Sequence, residues 1–452
     1  MSQAATRPPR PQRGTEVEVT IDSLAHGGAG VGRVDGYVVF VRGAIPGDRV
    51  RARIGKSKKH YGEADIVDVL EASPDRIAPR APHPGASWQV LPYARQVEEK
   101  ERQVRDALTR LGGFEDPPVA PIVAASEEWR YRNKLEYSFG ESDDGSLALG
   151  FHRPGSFSRI DDVADDVLAS PAINEVREAV KAWCREQGLS AWDRHSQHGF
   201  LRNLVVREGR RTGELQARLV TSEGDFDRAG FEAAVDVDSL VWTRAAGVAE
   251  TTRGGETMLL SGNEWIEERL SGLRFRITAE AFFQTNTEMA ERLYEIAGDL
   301  AGLSGGERLF DLFCGMGTIG LTLARRAGEV WGVETVEESV AGAIATAELN
   351  EVTNSRFFAG DVRTAMRPLL EQAGKPDVVV VDPPRPGLSQ KVVRRVLEAE
   401  AKRIVYVSCN PTTLAPNARQ MVEAGYRLES VTPVDMFPQT PHIECVALLV
   451  RD

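Results

Sequence analysis

Apolar and polar positions alternate in short runs near the start of the chain: VEVTI (17–21), YVVFV (37–41), RVRARI (49–54) and EADIVDVL (63–70). Glycine-rich turns, HGGAGVGR and AIPGD, separate them. Period-two alternation at this spacing predicts a small antiparallel barrel over residues 14–75. Before it, residues 1–13 are rich in Pro and Arg and predict a disordered tail. A charged stretch at 93–112 carries helical periodicity. Residues 76–272 then mix strand runs (LEYSF, LGFHR, NLVVRE, ELQARLVT, DSLVWTR) with a helix at INEVREAVKAWCREQG. They form a central α/β domain on which helix 93–112 packs, unless that helix belongs to the last domain.

From about Phe275 the pattern changes to a regular alternation. The apolar runs RLFDLF, EVWGVE, RFFAGD, DVVVVD, RIVYVS and YRLESVTPVDMF are interleaved with helical stretches. Buried runs alternating with helices predict an open, mostly parallel α/β sheet of Rossmann-like type over 273–452. Ligands of such sheets sit at the carboxyl ends of the strands, so the chemistry is sought there.

Composition excludes some classes. With 42% hydrophobic and 27% charged residues, the 452-residue chain can bury real cores and is not globally disordered. No apolar run is long enough to span a bilayer and the N-terminus has no apolar signal-peptide core, so the expected compartment is the cytoplasm. The four cysteines, Cys184, Cys314, Cys409 and Cys445, form no C-x-x-C pair, which argues against a disulfide framework or a zinc ribbon. The net charge of -12 is uneven: residues 1–80 carry +3 and the remainder -15. The N-terminal part is therefore the side that favours a polyanion. Its Arg51, Lys58 and Lys59 read either as a solvated hairpin tip or as phosphate contacts of an RNA-binding barrel.

Candidate chemistry clusters at strand ends. Asp311-Leu312-Phe313-Cys314-Gly315-Met316-Gly317 follows a strand and opens a helix, where Gly315 and Gly317 let the backbone approach a ligand. Glu334 ends the next strand, 23 residues after Asp311, suited to a ribose diol; Asp361 ends the one after, placed for an adenine edge. The G-M-G-T-I-G spacing is compatible with a dinucleotide, but the motifs that follow argue against one. Asp382-Pro383-Pro384-Arg385 makes a rigid loop whose Asp and Arg can hydrogen-bond a planar polar substrate. Cys409, in SCNP, stands just before a helix start, whose dipole is expected to lower the thiol pKa and suit it as a nucleophile. Glu444 begins an apolar strand, where burial raises a carboxyl pKa and suits it as a base. His442 reads as a loop histidine, Cys314 and Cys445 as packing residues, and His195 with His198 as too few ligands for a metal.

The set DLFCGMGTIGL, DPPRPGL, VSCNPTTL and QTPHIECVALL, with FFQTN (282–286) and WRYRNK (129–134), resembles the RNA uracil-5-methyltransferases. The barrel looks like their TRAM domain, an OB-like RNA-binding module. The resemblance implies a class I methyltransferase domain using S-adenosylmethionine. Gln284, Asp311, Gly315, Gly317, Glu334, Asp361 and Asp382 would bind that cofactor. Asp382 and Arg385 would hold the base or order their loop, Cys409 would add to carbon-6, and Glu444 would remove the carbon-5 proton. The base of a folded RNA would have to be flipped out. Two departures stand out. Many TRAM-bearing relatives carry a four-cysteine iron–sulfur cluster, but the matching stretch Pro79–Trp88 and the site around Asp165-Asp166 hold no cysteine, so no cluster is expected. Pro386 stands where a basic residue is expected. No metal and no obligate protein partner are implied, and the substrate is ribosomal or transfer RNA. An RNA N-methyltransferase needs neither Cys409 nor Glu444. An RNA-binding or chaperone protein would keep its activity in Cys409→Ala.

Overall fold

The computed structural model describes residues 10–153, 159–247, 252 and 254–451. Most of the expected tail therefore lies outside the described residues. Its last part is seated: Arg10 Nε donates to Ser57 Oγ at 2.8 Å.

The first five strands, β1 (Glu16–Leu24), β2 (Gly30–Val34), β3 (Tyr37–Arg42), β4 (Arg49–Ser57) and β5 (Tyr61–Glu71), close in the order β1-β2-β3-β5-β4. The barrel is not wholly antiparallel, because β3 and β5 pair in parallel. It also has a strand, β2, inside the segment expected to be a turn. Glycine is what allows it: a Cβ on Gly32 would lie 2.3 Å from Thr20 O on β1.

Helix α1 (Tyr93–Arg110) packs with the last domain, which settles its placement: Val104, Ala107 and Leu108 share a core with Phe310, Val379 and Tyr406. The central domain is a seven-stranded sheet, ordered β12-β11-β10-β9-β6-β7-β8. It is built from β6 (Lys134–Glu141), β7 (Leu147–His152), β8 (Ile160–Asp162), β9 (Leu201–Glu208), β10 (Leu215–Thr221), β11 (Ser239–Arg244) and β12 (Glu256–Gly262). Helices α2 (Pro171–Glu186) and α3 (Arg228–Ala234) cover one face.

The boundary expected at residue 273 falls inside a hairpin. The hairpin β13 (Trp265–Leu270) and β14 (Leu273–Thr278) buries Ile266, Leu270 and Phe275 in the same core as Leu309 and Val380. Then follow α4 (Thr287–Ala301), β15 (Arg308–Leu312), α5 (Thr318–Ala324), β16 (Glu329–Glu334), α6 (Glu337–Leu349), β17 (Ser355–Ala359) and α7 (Val362–Ala373). The chain ends with β18 (Val378–Val381), α8 (Gln390–Glu398), β19 (Arg403–Ser408), α9 (Pro411–Glu423), β20 (Arg427–Val434) and β21 (Glu444–Val450). The sheet order is β17-β16-β15-β18-β19-β21-β20. β17 to β19 run parallel, and β21 runs antiparallel to both neighbours. Strand order reverses between β15 and β18, the switch point where such sheets hold ligands. Because β21 is reversed, its first residue meets the last residues of the parallel strands at that same edge. Among the described residues no helix is long and apolar enough to cross a membrane.

Candidate active site

β19 and β21 pair in the register Ser408↔Cys445. Continued by one position, that register sets Cys409 opposite Glu444. Cross-strand neighbours are about 5 Å apart at Cα, so the thiol and the carboxyl are neighbours, and the carboxyl acts on the thiol. Asp382, at the end of β18, is the third member. Burial pushes the Cys409 thiol up to about 11, and the Glu444 and Asp382 carboxyls add to the push, while Arg385 opposes it. The expectation that a helix dipole would lower this thiol is thus overturned: desolvation and two like charges outweigh the start of α9. Burial raises Glu444 well above the usual carboxyl range, with Asp382 contributing. Asp382 itself is pushed up to about 7 by burial and by Asp311.

The loop carrying Arg385 is fixed from α9. Asn417 Oδ1 accepts from Leu388 N at 2.9 Å and from the Tyr406 hydroxyl at 3.0 Å, while its Nδ2 donates to Leu388 O. Asn410 caps α9 and donates to Arg385 O at 3.2 Å. Gly387 is required here: its φ is +72°, and a Cβ would lie 2.8 Å from Thr413. Pro386 lies exposed on the outside of this turn.

The loop before Glu444 is held by every other part of the molecule. Lys100 of α1, fully buried, pairs with Asp435 at 2.6 Å and donates to Phe437 O at 3.0 Å. Gln96 exchanges two hydrogen bonds with Gln439. The Tyr131 hydroxyl donates to Pro438 O at 2.9 Å, and Asn286 donates to Met436 O at 2.9 Å. Asn133, at the start of the central sheet, donates to Gln284 O at 2.9 Å and to Thr287 Oγ1. This brings FFQTN, with Gln284, to the same edge. WRYRNK therefore acts as the clamp of the central domain. Sequence reasoning had assigned these positions no role. The recoverable signal was a polar stripe, Gln96, Lys100 and Gln103, along one face of α1.

The cofactor positions divide. Gly315 (φ +54°) has open space where a Cβ would point, whereas Gly317 (φ +73°) packs against the Phe357 ring. Glu334 accepts from Gly315 N at 3.2 Å and stands at the next strand end. Asp311 lies beneath the loop. Its Oδ2 accepts from Gly320 N at 2.8 Å and its Oδ1 is buried without a partner. Burial pushes it up to about 7, helped by Glu334. Asp361 caps α7 through Arg363 N at 2.8 Å and pairs with the Arg363 guanidinium. An open glycine turn, an acid at each of two adjoining strand ends and an unpartnered carboxyl oxygen suit a cofactor that carries a ribose diol and positive charge.

Other candidates fall elsewhere. Arg51 is tied to Asp68 at 2.9 Å on the barrel wall, and Lys58 and Lys59 stand exposed at the β4–β5 turn. Cys314 and Cys445 are buried in the two cores. His195 and His198 are exposed, and no metal-binding group occurs among the described residues. The Pro79–Trp88 stretch meets Asp165-Asp166 through buried His83, whose Nε2 bonds Asp166 Oδ1 at 2.9 Å. The Tyr137 hydroxyl donates to Asp166 Oδ2 at 3.0 Å.

Residues 92–452 match the tRNA (uracil-5-)-methyltransferase family and residues 10–67 match the TRAM domain. The chain belongs to that methyltransferase family. It is 39% identical to an uncharacterized RNA methyltransferase of Chlorobaculum tepidum, covering 98% of each chain. It is 38% identical to one of Halalkalibacterium halodurans, covering 96% of each. Among solved structures it resembles the Pyrococcus abyssi tRNA (uracil-54, C5)-methyltransferase in complex with S-adenosyl-L-homocysteine. That match has a TM-score of 0.78 and 30% identity, covering 96% of this chain and all of the other. The class I methyltransferase fold and the N-terminal TRAM barrel thus agree with the expectation from sequence.

Proposed function

We propose that this methyltransferase acts on carbon-5 of a uridine in transfer or ribosomal RNA, in the cytoplasm, with Cys409 as nucleophile and Glu444 as base. The observation that carries the reading is the juxtaposition of Cys409 and Glu444 across the β19–β21 edge, with Asp382 and Arg385 beside them. S-adenosylmethionine supplies an electrophilic methyl group on a sulfonium. Gln284, Gly315, Gly317, Glu334 and Asp361, with Asp311 and Asp382, would hold it.

Carbon-5 of uracil is a weak nucleophile. Cys409 sulfur bonds to carbon-6, its proton passing to the Asp382 carboxylate, and the ring becomes an enolate nucleophilic at carbon-5. After carbon-5 accepts the methyl group, Glu444 takes the remaining proton there. The electron pair re-forms the carbon-5–carbon-6 double bond and the carbon–sulfur bond breaks, which frees Cys409. A thiol held near 11 stays protonated in the free site near neutral pH, so its addition to carbon-6 needs a neighbouring group to take the proton. Asp382 and Arg385 orient the uracil ring, and Lys58 and Lys59 contact RNA phosphates from the barrel. The pairing of a cysteine with a buried glutamate has no use in transfer to an exocyclic amine.

The test is incubation with labelled S-adenosylmethionine and total RNA from a host lacking the enzyme, then fractionation and nucleoside analysis. Label in 5-methyluridine supports the reading, and the fraction that carries it assigns transfer or ribosomal RNA. Label in another nucleoside overturns the carbon-5 assignment. No label, with intact RNA binding, favours a binding protein.

A further inference from the structure

The first loop of the barrel, residues 25–29, docks onto the segment that leads into Glu444. A Cβ on Gly28 would lie 2.8 Å from Pro441 Cβ and 2.7 Å from Trp88 Nε1. Trp88 Nε1 donates to Gly28 O at 3.3 Å, and Trp88 N donates to Gln439 O at 2.9 Å. Barrel, linker and catalytic loop are therefore one packed joint. It carries His26 close enough to Arg385 for the guanidinium charge to act on it. Arg385 in turn donates to His442 Nδ1 at 3.0 Å. Arg385 Nη2 also lies 3.4 Å from His442 Nε2, so the guanidinium lies against the imidazole edge.

Burial lowers the basicity of both histidines, and the Arg385 charge lowers it further. His442, pushed down to about 4, also faces Arg132, Lys100 and His26. Arg385 thus lies among His26, His442 and the Glu444 carboxyl, and each uncharged imidazole keeps one N–H donor. A uracil ring has no anionic group for such a cluster. The phosphodiester that joins a flipped uridine to its neighbour does, and it follows the base into the site.

We propose that His26, Arg385 and His442 form a phosphodiester subsite for the flipped nucleotide, so that the barrel completes the reaction centre itself. The proposal rests on the RNA reading above. His26 acts here as a substrate-binding residue.

The experiment uses the full chain and an RNA transcript that the wild type methylates. His26→Ala is expected to raise the KM for RNA about fivefold, the weight of one hydrogen bond. The kcat at saturating RNA, the cofactor affinity and the thermal midpoint stay unchanged. His26→Gln, which keeps a donor, is expected to recover part of the loss. An unchanged KM in His26→Ala overturns the proposal. So does a joint fall in kcat and thermal midpoint, which marks a packing role. A wild type that forms no 5-methyluridine overturns the RNA reading instead, and the proposal with it.

Discussion

Cys409 and Glu444 face each other across the end of an antiparallel strand pair, in a register that places Ser408 against Cys445. The reversed last strand is what makes this possible. A parallel β21 would deliver its first residue to the opposite edge of the sheet. Every neighbouring element then fixes the segment that precedes Glu444, so the acid is held by α1, the linker, the central domain and the loop of Gln284 together.

The first prediction concerns the thiol. Cys184, Cys314 and Cys445 are buried and Cys409 is half-exposed. Iodoacetamide should therefore modify Cys409 selectively in the folded, ligand-free protein, with a rate that climbs towards pH 11. Asp382→Asn removes a negative neighbour and should shift the curve to lower pH. Arg385→Ala should shift it to higher pH. Mass spectrometry of the alkylated peptide over a pH series checks all three.

A second prediction follows from Asp311. Its carboxyl is fully buried and raised to about 7, so the folded chain holds a proton that the unfolded chain releases near pH 4. A raised pKa contributes stability that is complete below the unfolded value and is lost as pH rises through the folded value. Asp311→Asn removes that loss. The difference in thermal midpoint between Asp311→Asn and wild type should grow in favour of the variant from pH 5 to pH 7.5. The shift corresponds to roughly 4 kcal/mol at most. Differential scanning fluorimetry across that range measures it.

A third prediction addresses the clamp. Lys100 and Asp435 are both fully buried, and burial lowers the lysine pKa against the opposing pull of Asp435. Lys100→Met strands the carboxylate and should cost about 3–5 kcal/mol. Lys100→Met with Asp435→Asn should recover part of that. Denaturant unfolding of the three proteins gives the comparison, and a loss under 1 kcal/mol for the single variant would contradict the clamp.

How much of this was legible in the chain depends on how local each signal is. The valines at 378–381 and the runs around Asp311, Glu334 and Cys409 announced the parallel sheet because a doubly covered strand is apolar throughout. The four alternating runs announced the barrel. Strand β2 was hidden because its sequence, GVGRV, has the composition of a turn and becomes a strand only through its close approach to β1. The boundary expected at residue 273 fell inside the β13–β14 hairpin because that hairpin is amphipathic, and its core partners lie tens of residues onward. Cys409 and Glu444 stood out at strand ends, but the direction of the thiol shift did not. It depends on carboxyls brought from Asp382 and Glu444 by the sheet. The roles of Lys100, Tyr131, Asn133 and His26 were invisible for the same reason: each acts on a residue more than 150 positions away.

The most direct test of the central claim is to mix Glu444→Gln enzyme with substrate RNA and S-adenosylmethionine and resolve the products on a denaturing gel. Without the base, the carbon-5 proton stays and elimination stalls, with turnover reduced about 10²–10⁴-fold. The account predicts a covalent RNA–protein band whose digested peptide maps to Cys409, and its loss when Cys409→Ala is added. A Glu444→Gln enzyme that forms 5-methyluridine at the wild-type rate, with no such band, would contradict it.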